Sequence, residues 1–347
     1  MPKKTINLLK LSEDDLLNLR ICELPLDLEG SWLEECIKEL YRELENRGFR
    51  FRPPCYFADE WLTPDKEPVI GIPFFLAHPV LIKLEKKMVL DAEGSSRSWC
   101  MKLLRHETGH AINYAYKLYR RKKWQKAFGR FSKEYDDTYR FRPYSRNFVR
   151  HLEDYYAQYH PDEDFAETFA VWLTPGLKWQ DQYKGWKALD KLNYVDESMN
   201  EIKDREPLVD RGKRYWEASS MRMTLKNFYK KKRQSYMEDF PDFHDSNLKN
   251  IFLFIESPER GPSNKNKEIH AASTIRRYKK DILNNVAKWT GEKKYIINNL
   301  LDTITQRCKA LGLLSGESES LAVLKISTYI TTLVMNYLYT GGFSREK

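Results

Sequence analysis

Residues 98–118 read SWCMKLLRHETGHAINYAYKL, an unbroken helical pattern that carries His106, Glu107 and His110. The pattern predicts one helix from about Ser98 to Tyr119. Residues four apart lie on one helix face, so His106 and His110 present two imidazoles to a single point. Glu107 is displaced by about 100° around the axis, where its carboxylate can reach a water held at that point. The arrangement is H-E-x-x-H: two nitrogen ligands for zinc and a carboxylate as general base. A packed or solvated histidine pair satisfies the same short pattern with no metal. A catalytic zinc takes three protein ligands and leaves one position open, so the metal reading requires a third ligand elsewhere.

The segment HPDEDFAETFAVWLTP (160–175) supplies it. Pro161 suits the first position of a helix, and Thr174-Pro175-Gly176 ends the helix about four turns later. Acids in a first turn are ordinary, because the helix dipole favours them, and this accounts for Asp162, Glu163 and Asp164 without any metal. It does not account for Glu167, which lies among Phe165, Ala166, Phe169 and Ala170, where an unpaired carboxylate is costly. Glu163 on zinc and Glu167 behind His106 or His110 meet both requirements, since metal-binding histidines pass their other N–H to a carboxylate. His160 reads as a helix-start residue and His78, before a proline, as structural.

These two helices resemble the gluzincin branch of zinc peptidases, in which the third ligand is a glutamate. EDFAETFA (163–170) is similar to the corresponding helix of the anthrax lethal factor catalytic domain. LEGSWLEECIKELYRELENRG, IPFFLAHP, RHETGHAINYAY, RPYSRNF and HPDEDFAETFAVWLTP together resemble a bacterial family of zinc-binding metallopeptidases, over roughly Leu28 to Tyr194. The resemblance implies a zincin-like α+β catalytic domain with His106, His110 and Glu163 as zinc ligands, Glu107 as base and Glu167 behind a ligand. It also implies an oxyanion-stabilising tyrosine about two turns before the third ligand. Tyr156 stands there, with Tyr155 and Tyr159 as competitors in a chain of 21 tyrosines.

Around this centre, the sequence predicts a short helix from Leu11 to Arg20, capped by Ser12, and a longer one from Ser31 to Gly48. Short β-favouring runs broken by Pro and Gly between Phe49 and Glu93 predict a small, mostly antiparallel sheet. Ser96 or Ser98 caps the histidine helix, and a further helix is expected over Phe148 to Tyr159. The expected domains are a zincin-like one over 1–205, a basic and aromatic connection over 206–262, and a helical domain over 263–347. SPERGPSNKNK (257–267) reads as a linker, and three helices ending near Gly291, Gly312 and Tyr339 follow it.

The 347 residues carry 31% charged side chains, which describes a folded globular chain rather than a disordered one. Five scattered cysteines without a C-x-x-C pair fit reduced thiols and exclude a cysteine zinc site. No apolar signal region follows the first residues, and the C-terminal apolar stretch carries Lys325 among several hydroxyls. It reads as a buried helix, so a cytoplasmic location without a membrane partner is expected. The net charge of +9 permits a nucleic-acid partner, through the basic and aromatic stretch 177–235 above all, but solubility explains it equally well.

The expected function is a zinc metallopeptidase acting on a peptide or protein. A zinc amidase on a modified peptide or cell-wall-type amide is a close variant. The competing class is a basic nucleic-acid or partner-binding regulator with an inactive zinc site. The C-terminal helical domain is open to oligomer or partner contacts.

Overall fold

Helix starts in this chain are set by side chains that accept the first free backbone N–H groups. In the computed structural model, which describes residues 6–135, 142, 144–152, 155–234, 244–253, 269–315 and 318–340, Ser12 caps α1 (Glu13–Asn18) and Ser31 caps α2 (Trp32–Asn46). Glu34 reaches back from the first turn of α2 to the Gly30 N–H at 2.9 Å. One stripe of α2, Leu33, Cys36, Ile37, Leu40 and Leu44, is buried. Arg105 clamps α2 to the histidine helix through two bonds to Glu43, at 2.8 and 2.6 Å.

The chain divides into two compact units. The first is built from Met1–Met88, Ala92–Asp136 and Arg140–Tyr229, the second chiefly from Lys230–Lys347. The first unit is mostly helical and contains the only named strands among the described residues, β1 (Cys55–Ala58) and β2 (Ile70–Pro73). They pair in parallel, with Cys55 opposite Ile70 and Ala58 opposite Pro73, so the antiparallel sheet expected from the sequence is replaced by a parallel pair. The cause lies in the connection between them: Leu62 takes the other edge of β2 as an antiparallel bridge to Gly71. A Cβ at Gly71 would lie 2.5 Å from the Leu62 side chain and 2.9 Å from Ala58 Cβ, which has no rotamer to yield, so glycine suits this crossing.

HPVLIKL and KKMVLDA are not strands either. They form α3 (Pro79–Val89), opened by His78, whose Nδ1 accepts the Val80 N–H at 3.1 Å. Leu81 and Leu84 are buried at helical spacing, a period masked in sequence by the β-favouring composition around it.

The centre of the unit is α4 (Arg97–Ala115), capped by Ser96 and buried over most of its circumference from Cys100 onward. α5 (Lys122–Phe128), α6 (Pro161–Leu173), α7 (Trp179–Gln182) and α8 (Ala188–Ile202) complete the surround, with Trp124, Phe128, Phe165 and Phe169 in one aromatic core. The helix expected over Phe148 to Tyr159 is absent among its described residues, which hold only a 3-10 turn at Tyr156–Gln158. Here the Arg150 and Leu152 N–H groups donate to Tyr183 Oη and Glu167 Oε2, so tertiary bonds take the place of helical ones. The stretch 206–229 is stitched to the same unit: Leu208 and Val209 donate to the Ala115 carbonyl, and Leu225 to that of Leu19. α9 (Leu225–Gln234) follows.

The second unit holds α10 (Asp245–Ile251), α11 (Ala271–Thr290), α12 (Lys294–Ala310) and α13 (Glu319–Thr340). Ile275, Ile282, Leu301, Ile304, Ile326 and Ile330 belong to its core. Gly291 ends α11 in the left-handed region, at φ 74°, where a side chain would be strained. α13 is long and apolar enough to cross a membrane by length and composition alone. It is not wholly buried as the sequence suggests: it buries one face, while Leu321 and Leu324 are exposed. The linker read at 257–267 lies outside the described residues.

Candidate metal centre

Two helices bring the site together. On α4, His106, Glu107 and His110 are all buried; on α6, Asp162, Glu163 and Glu167 are buried with them. The helices cross with Gly109 of α4 against the backbone of Ala166. A Cβ at Gly109 would stand 2.7 Å from Ala166 Cα and 3.0 Å from its carbonyl oxygen, so glycine is what permits the approach.

α6 starts at Pro161, and its cap is His160. The His160 Nδ1 accepts the Asp162 N–H at 3.1 Å, while its Nε2–H donates to the Lys133 carbonyl at 2.7 Å. Glu163 therefore leaves the first turn of α6 toward the two histidines.

His106 Nε2, His110 Nε2 and Glu163 Oε2 form a nearly equilateral triangle, with sides of 3.1, 3.2 and 3.2 Å. A tetrahedral zinc bound at about 2.0–2.1 Å places its ligands about 3.3 Å apart, so this donor set fits such an ion closely. The buried His106, His110 and Glu163 group can hold a metal ion.

The opposite ring nitrogens fix this geometry. His106 Nδ1–H donates to Glu167 Oε1 at 2.9 Å, and His110 Nδ1–H to Asp162 Oδ2 at 2.9 Å. With both Nδ1 atoms committed, both Nε2 atoms face the shared point. The carboxylates are held in turn: Leu152 N–H donates to Glu167 at 2.9 Å, and Asn113 and Tyr114 donate to Asp162 at 2.7 and 2.5 Å.

Electrostatics follow from burial and pairing. Burial opposes charge on His106, but the bonds to Glu163 and Glu167 prevail and hold its imidazole up to about 9. His110 is likewise raised against burial by Asp162 and Glu163, and Glu163 is held well below the usual carboxylate range by the two histidines. Burial pushes Glu107 up, against the pull of His106 and His110. Glu107 is not one of the three converging groups; Thr63 Oγ1 donates to its backbone carbonyl at 3.1 Å.

Tyr156 lies beside the centre, its ring centroid 5.6 Å from that of His106. Its ring is partly open to solvent, while burial and the carboxylates of Glu163 and Glu107 keep the hydroxyl protonated well above the usual range. Tyr159 stacks on Tyr156, and Tyr155 stands in the left-handed conformation just before the turn.

Sequence reasoning missed two participants. Asp162 is not merely a first-turn acid, since it carries His110. Each imidazole needs a partner, and Asn113 and Tyr114, three and four residues after His110, mark the same face. Tyr135, whose hydroxyl donates to Glu163 Oε1 at 3.0 Å, left no periodic signal. Against known proteins, the chain matches no family model, no curated protein and no solved structure.

Proposed function

We propose that this chain is a zinc-dependent hydrolase that cuts peptide bonds, with His106, His110 and Glu163 as the metal ligands. The observation that carries the proposal is the near-equilateral donor triangle with one further buried carboxylate, Glu107, beside it on α4. Two imidazoles and a carboxylate are a ligand set suited to catalytic zinc, with a fourth position left for water. Bound there, zinc would supply Lewis acidity, acidifying a water and polarising the scissile carbonyl.

The residues of the chain do the rest. Glu107 accepts the proton of the attacking water and returns it to the leaving amine; burial raises its carboxyl above the ordinary value, against the pull of the two histidines. Tyr156, kept protonated, donates a hydrogen bond to the oxyanion that develops on the carbonyl. Glu167 and Asp162 hold the imidazoles in place throughout. The substrate is a peptide or protein, and the five free cysteines suit a reducing compartment such as the cytoplasm.

The test is hydrolysis of a diverse peptide library by wild type and Glu107→Gln. Glu107→Gln should retain zinc and lose at least about a hundredfold in rate, the scale of a general base. Cleavage at the wild-type rate by Glu107→Gln contradicts the assignment. Salt-sensitive nucleic-acid binding with no cleavage by either protein supports the regulator instead.

A further inference from the structure

Glu163 has two carboxylate oxygens, and the structure treats them differently. Oε2 faces the two histidines at 3.1 and 3.2 Å, while Oε1 accepts the Tyr135 hydroxyl at 3.0 Å. Tyr135 belongs to neither site helix. It follows the turn after α5, and three contacts seat that turn on the start of α6. Its ring stacks on His160 at 4.0 Å, nearly parallel. The same imidazole donates from Nε2 to the Lys133 carbonyl at 2.7 Å and accepts the Asp162 N–H at Nδ1. Gly129, at φ 115°, lies against Pro161, where a Cβ would meet the ring at 3.2 Å. The His160 ring that caps α6 therefore also places Tyr135.

We propose that Tyr135 is a positioning residue that holds Glu163 to one-oxygen ligation and so keeps the fourth metal position free for water. The inference rests on the reading of His106, His110 and Glu163 as ligands. A carboxylate with both oxygens free can bind a metal through either or both. With Oε1 engaged by a hydroxyl, only Oε2 is presented to the metal. This role differs from that of Tyr156, which lies beside His106 and feels both Glu163 and Glu107. Tyr135 acts through Glu163, whereas Tyr156 is the group proposed above to meet the oxyanion.

The experiment loads the full-length chain with cobalt(II) in place of zinc and records the visible spectrum and the metal affinity. Wild type, Tyr135→Phe and Tyr135→Ala are compared. Four-coordinate cobalt absorbs strongly in the visible, and a fifth ligand weakens and shifts these bands. Tyr135→Phe keeps the ring that stacks on His160 and removes only the hydroxyl. It should lose band intensity and about tenfold or more in affinity, the usual effect of removing a group that orients a ligand. Tyr135→Ala should match it. If Tyr135→Phe keeps the wild-type spectrum and affinity, the hydroxyl does not position Glu163 and the proposal is overturned, whatever Tyr135→Ala does. If wild type itself takes up no cobalt, both the proposal and the ligand assignment beneath it fall, so the two failures are distinguishable.

Discussion

Each histidine of the pair is gripped on both ring nitrogens, and that has a consequence in pH. Without metal, Glu163 and Glu167 hold His106 up to about 9 against the effect of burial. Its unfolded value is about 6.5. A group raised on folding contributes stability that is fully present below its unfolded pKa and is lost as pH rises through the folded one. The metal-free fold should therefore lose stability between about pH 6.5 and about pH 9. Zinc needs neutral imidazoles and competes with the same protons. Its apparent affinity should climb over that window, with protons released on binding. Calorimetry in two buffers of different ionisation enthalpy measures this, and pH-independent binding with no proton release would contradict it. At this scale much of the centre is legible in the sequence: the i, i+4 histidines, and Glu163 and Glu167 on one face of an apolar helix. Asp162 was hidden because the helix dipole already explains an acid there. Tyr135 was hidden because its place depends on a turn with no period to read.

Among the elements, the crossing of α4 and α6 matters most, and Gly109 sets its distance. The clash a Cβ would make is with the backbone of Ala166, which has no rotamer to yield. Gly109→Ala should force the helices apart, spread the donor triangle and lower zinc affinity. Overpacking of this kind costs about 1–3 kcal/mol in stability. Thermal unfolding and zinc titration of Gly109→Ala measure both; unchanged zinc affinity would show that the approach is not what builds the site. Helix ends proved readable where Ser, Pro or Gly marked them, as at Ser12, Ser31, Pro161 and Gly291, but not at His78, which opens α3. Residues 79–89 were misread because β-favouring composition outweighed a helical period. The stretch before α6 was misread because its backbone partners, Tyr183 and Glu167, are distant in sequence.

On the scale of the whole molecule, the parallel pairing of β1 and β2 was the least legible feature. It turns on Leu62 crossing Gly71, a contact that no local pattern announces. The three long helices α11, α12 and α13 were readable, because they keep an apolar stripe and glycines follow the first two. All groups proposed for the chemistry lie in the first unit, which includes the stitched stretch 206–229. The central claim is that His106, His110 and Glu163 hold one zinc. The most direct measurement is the zinc content of purified full-length wild type, His106→Ala and Glu163→Ala. Wild type should carry about one zinc per chain and each variant almost none, since a catalytic site has only three protein ligands to lose. Either variant retaining the wild-type ratio would contradict the account.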